Sequence, residues 1–156
     1  MELTDGTSPT AHGGSPPGTP VSGEVTSAAG ARAYAASVVR RAWDAAAGAG
    51  PREEDVIDLL LVVSELVTNA IRHGGGLAGF EAWAVEDGLR VAVHDHSPVV
   101  PAVAYGPGSL PVGHRGSGYG WPLILRLARE IAIDRRPEGG KTITVLVPVR
   151  TASGRH

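Results

Sequence analysis

The chain is 156 residues long, 42% hydrophobic and 19% charged, with a formal net charge of −2. That size and composition suit one globular domain plus a tail, and the lack of a basic surplus argues against direct nucleic-acid binding. Cysteine is absent, which excludes disulfides and thiolate metal sites. No apolar run of about 18 residues appears and the first residues do not form a secretion signal, so the expectation is a soluble cytoplasmic protein without a membrane span.

Residues 1–25 are rich in Gly, Pro, Ser and Thr, and Ser15-Pro16-Pro17-Gly18-Thr19-Pro20 cannot hold a helix or a central strand. A disordered tail is expected there. The folded domain is expected over 26–150, with 151–156 as a second tail. Within it, 27–47 is dominated by Ala, Val and Arg. Tyr34, Val38, Val39 and Trp43 fall at helical spacing, with Arg32, Arg40 and Arg41 on a solvated face. Gly48-Ala49-Gly50-Pro51 ends this helix.

A second helix begins at Arg52-Glu53-Glu54-Asp55, where acids favour the positive end of the helix dipole. Val56, Leu59, Leu60, Val63, Leu66, Val67 and Ala70 give it an apolar face, and Gly74-Gly75-Gly76 stops it after His73. Two strands follow, 77–85 and 89–95, joined through Glu86-Asp87-Gly88. In the second, Leu89, Val91 and Val93 share one face. His96-Ser97-Pro98 breaks it. Residues 99–115 have scattered Pro and Gly without period, and read as a long loop of the kind that is usually functional or mobile. A helix is expected from Trp121 to Ala128 with Pro122 in its first turn. A strand over 130–134 and another over 141–149 complete the order. In the last strand Thr142, Thr144, Leu146 and Pro148 alternate with Ile143, Val145, Val147 and Val149. Paired strands interrupted by helices point to an α+β fold, with helices layered on one mostly antiparallel sheet.

Four features can carry chemistry. Glu65 and Asn69 lie one turn apart on one helix face. A carboxylate there can act as a base, and an Asn oxygen suits Mg²⁺. Each is also an ordinary polar residue of a helix surface. Asp95 closes a strand, where a carboxylate can accept a hydrogen bond from an exocyclic amine or simply start a turn. Gly116-Ser117-Gly118-Tyr119-Gly120 runs into a helix start, which lets backbone and free N–H groups approach an anion or makes a hinge. Thr142 follows Gly139-Gly140-Lys141 on a strand, as a ligand contact or a plain strand residue. Neither a Rossmann fingerprint nor a Walker A loop is present.

Taken in order, E-x-x-x-N on a helix, Asp at a strand end, a glycine string opening a helix and G-G-K-T on a strand resemble the GHKL ATPases. That family includes gyrase, the heat-shock chaperones, histidine kinases and mismatch-repair ATPases. Residues 61–74, 93–98, 118–128 and 139–142 are most similar to its small branch of anti-sigma-factor serine/threonine kinases. The resemblance spans roughly 27–149. It implies a Bergerat fold, a two-layer sandwich on a mostly antiparallel mixed sheet, that binds ATP and Mg²⁺. Glu65 would be the general base and Asn69 the Mg²⁺ ligand. Asp95 would bind the adenine amine with Thr142 assisting. Gly116, Gly118 and Gly120 would lie by the phosphates, and His73 beside the nucleotide. The implied partners are a sigma factor and an antagonist protein phosphorylated on serine, and the branch often forms homodimers. The alternative is a non-catalytic, ATP-gated protein-binding module. The chain departs from the pattern at Asp95-His96-Ser97-Pro98, which replaces D-x-G-x-G, at Tyr119, and in the lack of a phosphate-binding Lys in the long loop.

Overall fold

The computed structural model describes residues 25–46, 48–101 and 120–152. The elements are α1 (Ala28–Ala46), α2 (Glu53–His73), β1 (Leu77–Val85), β2 (Gly88–Asp95), α3 (Gly120–Leu127), β3 (Glu130–Arg135) and β4 (Lys141–Pro148). The strands form one sheet in the order β1-β2-β4-β3. Every pairing among the described residues is antiparallel, so the sheet here is not mixed. Gly116 and Gly118, residues 1–24 and 153–156 of the two expected tails, and 102–115 of the long loop lie outside the described residues.

The period of each element decides the packing. On α2, Leu59, Val63, Leu66, Val67 and Ala70 of the expected stripe are buried, Val62 joins them, and Val56 and Leu60 are only partly buried. On the sheet, Phe80, Leu89, Val91, Val93, Ile143, Val145 and Val147 join the same core. Phe80 meets Tyr34 of α1 edge to face, with ring centroids 6.3 Å apart. Each such large side chain contributes roughly 1.5–3 kcal/mol by leaving water. α3 adds Trp121 and Ile124 to this cluster. The result is one layer of helices on one face of the sheet.

The β1–β2 turn uses the two residues Glu86 and Asp87, since Val85 pairs with Gly88. The β3–β4 hairpin closes through Arg136 N–H to Gly140 O at 3.0 Å and Gly139 N–H to Arg136 O at 3.0 Å. Gly140 has φ +88°, and a Cβ there would collide with the Asp95 carbonyl oxygen, so this site admits glycine.

Two arginine and acid readings change. Arg32 is not simply solvated, because Nη1 donates to Ser64 Oγ at 2.9 Å and ties α1 to α2. Asp55 does more than meet a helix dipole. It is 4% exposed and accepts three bonds from Arg150, from the backbone N at 3.0 Å, Nε at 3.1 Å and Nη2 at 3.0 Å. Further links between 50–52 and 150–152 close this end of the molecule. Arg52 N–H donates to Arg150 O at 2.8 Å, and Ala152 N–H to Gly50 O at 2.8 Å.

Candidate functional site

The last turns of α2 set the site. Gly74 ends the helix, donating its N–H to Ala70 O at 3.0 Å and Asn69 O at 3.1 Å. Gly75 and Gly76 follow at positive φ and turn the chain into β1. The Gly74 carbonyl then accepts the His96 N–H at 2.9 Å, which binds the end of β2 to the end of α2. This bond and the close fit of Gly74 against Asp95, where a Cβ would collide with Oδ2, bring the Asp95 carboxylate to the helix cap.

Glu65 and Asn69 lie one turn apart on α2, and Glu65 lies against α3. A Cβ on Gly120, the first residue of α3, would collide with Glu65 Oε1. A glycine at the entry of α3 therefore lets this carboxylate lie directly against the start of that helix. Asn69 buries its Nδ2 with no hydrogen-bond partner among the described residues. An unpaired buried amide costs roughly 1–3 kcal/mol, and folded chains seldom leave one without a reason. A half turn about χ2 exchanges Nδ2 for Oδ1, so this position can offer a donor to a phosphate oxygen or an acceptor to a hard cation. Glu65 and Asn69, with the N-terminal end of α3 beside Glu65, thus suit an anionic ligand carrying a divalent cation. Among the described residues, no cluster of three or more His, Cys, Asp or Glu forms a ready metal site.

Asp95 is 3% exposed and it is paired. Oδ1 accepts the Ser97 N–H at 3.0 Å, and Oδ2 lies 2.9 Å from Lys141 Nζ. Lys141 is also 3% exposed, and its Nζ donates to Ser97 O at 3.1 Å. The register explains the partnership: Asp95 stands opposite Lys141, and His94 opposite Thr142. Successive side chains alternate faces, so Lys141 joins Asp95 on the helix side and Thr142 points to the other side of the sheet.

Thr142 is therefore not brought to Asp95. Its Oγ1 lies 2.7 Å from His94 Nδ1, and His94 Nε2 lies 3.2 Å from Glu81 Oε1. The His94 hydrogen bond holds the Glu81 carboxyl below its usual range, although partial burial works the other way. His73, the last residue of α2, is exposed, as is Arg72. Gly120 lies at the Glu65 face, while Gly116 and Gly118 are outside the described residues.

Sequence reading missed Lys141, and the signal for it was present. The alternation of β4 places Lys141 with Ile143 and Val145, on the face shared by Val93 and Asp95.

No helix among the described residues is long and apolar enough to cross a membrane. No curated protein matches the chain significantly. The family model of the histidine kinase-like ATPase domain matches residues 27–146, most of the chain and all the elements that build the site. With its α+β architecture and the Glu65–Asn69 face at the end of α2, the chain belongs to the histidine kinase-like ATPase family of GHKL type, whose domains bind ATP.

Proposed function

We propose that the protein is an ATP-dependent regulator similar to the anti-sigma-factor serine/threonine kinases, which binds a sigma factor and phosphorylates a serine of an antagonist protein. The observation that carries this reading is Asn69: a buried amide nitrogen without a partner among the described residues, one helical turn from Glu65, which itself lies against the start of α3. The pairing of a candidate base with a candidate phosphate or cation ligand is what phosphoryl transfer to a hydroxyl needs.

In that reaction the serine oxygen bonds to the γ-phosphorus of ATP as the bond from phosphorus to the ADP oxygen breaks, and the serine proton passes to Glu65. Asn69 would hold Mg²⁺, which supplies charge neutralisation along the phosphates when bound. The N–H groups at the start of α3 would face phosphate oxygens, with Gly120 leaving the space that Glu65 occupies. Asp95 would receive the base at the far end of α2.

The test is calorimetry with MgATP on wild type, Asn69→Ala and Glu65→Ala, followed by phosphate transfer to serine-containing partner proteins. The expected result is binding by wild type, at least about a tenfold loss with Asn69→Ala, and binding without transfer by Glu65→Ala. Absence of binding by wild type at millimolar nucleotide overturns the reading. Binding without transfer by any protein assigns the chain instead to the non-catalytic, ATP-gated class.

A further inference from the structure

Lys141 places an ammonium against the carboxylate proposed to receive the base. Its Nζ is 2.9 Å from Asp95 Oδ2 and 3.1 Å from Ser97 O, and both side chains are closed to solvent. Burying a lysine costs desolvation, so its presence calls for a compensating interaction. Asp95 supplies one. Its carboxylate packs against Gly74, at the C-terminal and partially negative end of α2, where a lone anion is disfavoured. The ammonium offsets both the carboxylate and the helix end.

The same pairing alters what the site presents to a ligand. An ionised carboxylate only accepts, so alone it selects a donor such as the 6-amino group of adenine and rejects the 6-carbonyl of guanine. A carboxylate beside an ammonium is an acceptor next to a donor. Of the three ammonium N–H groups, two go to Asp95 and Ser97. The carboxylate, with one bond to each oxygen, also retains lone pairs. Because the pair is buried, a mismatched ligand edge would be penalised more than in water.

We propose that Lys141 is a base-reading residue. The Asp95–Lys141 couple takes the N1 and 6-position edge of a purine in either polarity. For adenine, the 6-amino group donates to Asp95 and N1 accepts from Lys141. For guanine, N1–H donates to Asp95 and O6 accepts from Lys141. The site therefore accepts adenine and guanine nucleotides alike. This rests on the nucleotide-binding reading of Asp95.

The experiment is calorimetric titration of the full chain with MgATP and with MgGTP, on wild type and on Lys141→Thr, with circular dichroism to verify folding. In wild type the two dissociation constants should agree within about thirtyfold, and in Lys141→Thr the ratio should move at least about tenfold toward ATP. A wild-type preference for ATP beyond that thirtyfold limit overturns the proposal, as does a folded Lys141→Thr whose ratio is unchanged. Should Lys141→Thr fail to fold, the wild-type ratio decides alone. Binding of neither nucleotide by wild type defeats the underlying nucleotide-binding reading, whereas tight ATP binding with GTP rejected defeats only the role of Lys141.

Discussion

At the start of α2 the buried Asp55 carboxylate accepts three hydrogen bonds from Arg150, whereas near its end Asn69 buries an amide nitrogen that bonds nothing among the described residues. One helix carries both, about 20 Å apart along its axis at 1.5 Å per residue. The first end is finished: its polar groups are matched by other parts of the chain, and it stabilises the fold. The second is unfinished, with a carboxylate held beside another helix start and, one turn on, an unpaired amide at some cost to stability. The difference teaches where to look for function, since a polar group that the fold does not satisfy is one that a ligand can.

Mutations should break the symmetry of the helix in opposite directions. The largest effect is expected at the finished end. Asp55→Ala removes a buried, charge-assisted network and should cost about 2–3 kcal/mol, lowering the melting temperature by roughly 10 °C, without changing nucleotide affinity. Urea denaturation checks it. The pH dependence has a definite sign. The Arg150 hydrogen bonds hold the Asp55 carboxyl below its usual range, outweighing the upward push of burial. Its folded value is depressed, so its stabilisation is fully present above the unfolded value near about 4 and is lost as pH falls through the folded value. The stability gap between wild type and Asp55→Asn should therefore be wide at neutral pH and narrow under acid.

At the unfinished end, Asn69→Ala should leave stability unchanged or raise it by up to about 1 kcal/mol, because it removes an unpaired amide and installs a better helix former. A loss of more than that in urea denaturation would mean that the fold already satisfies Asn69. The smallest effect on stability is expected for Gly120→Ala. Its Cβ would meet the mobile end of Glu65, which can swing aside, so unfolding should shift by less than about 1 kcal/mol. Phosphate transfer should fall sharply with Glu65 displaced, measured by single-turnover assay.

Much of this was readable before any coordinates. The helical stripe of α2, its glycine stop and the alternation in β2 predict the elements and their buried faces, because hydrophobic period follows directly from backbone geometry. The α+β class followed from the order of elements. The site was legible in part: Glu65 and Asn69 share a face by spacing alone. What spacing could not supply was pairing across the chain. Asp55 reads as a first-turn acid until Arg150, 95 positions away, is folded onto it. Thr142 reads as a companion of Asp95 until the register assigns it to His94, a one-residue offset that moves a side chain through the sheet.

The pairing of Asp95 with Lys141 also has a consequence for how the protein assembles. β1–β2 and β3–β4 are local hairpins, each able to form over a short stretch of chain. The β2–β4 seam joins them only after a long intervening segment is closed, and Asp95 opposite Lys141 is the end of that seam. Each hairpin thus owns one half of the couple. On the proposed reading, the combined acceptor and donor exists only in a chain whose two hairpins have already zipped together.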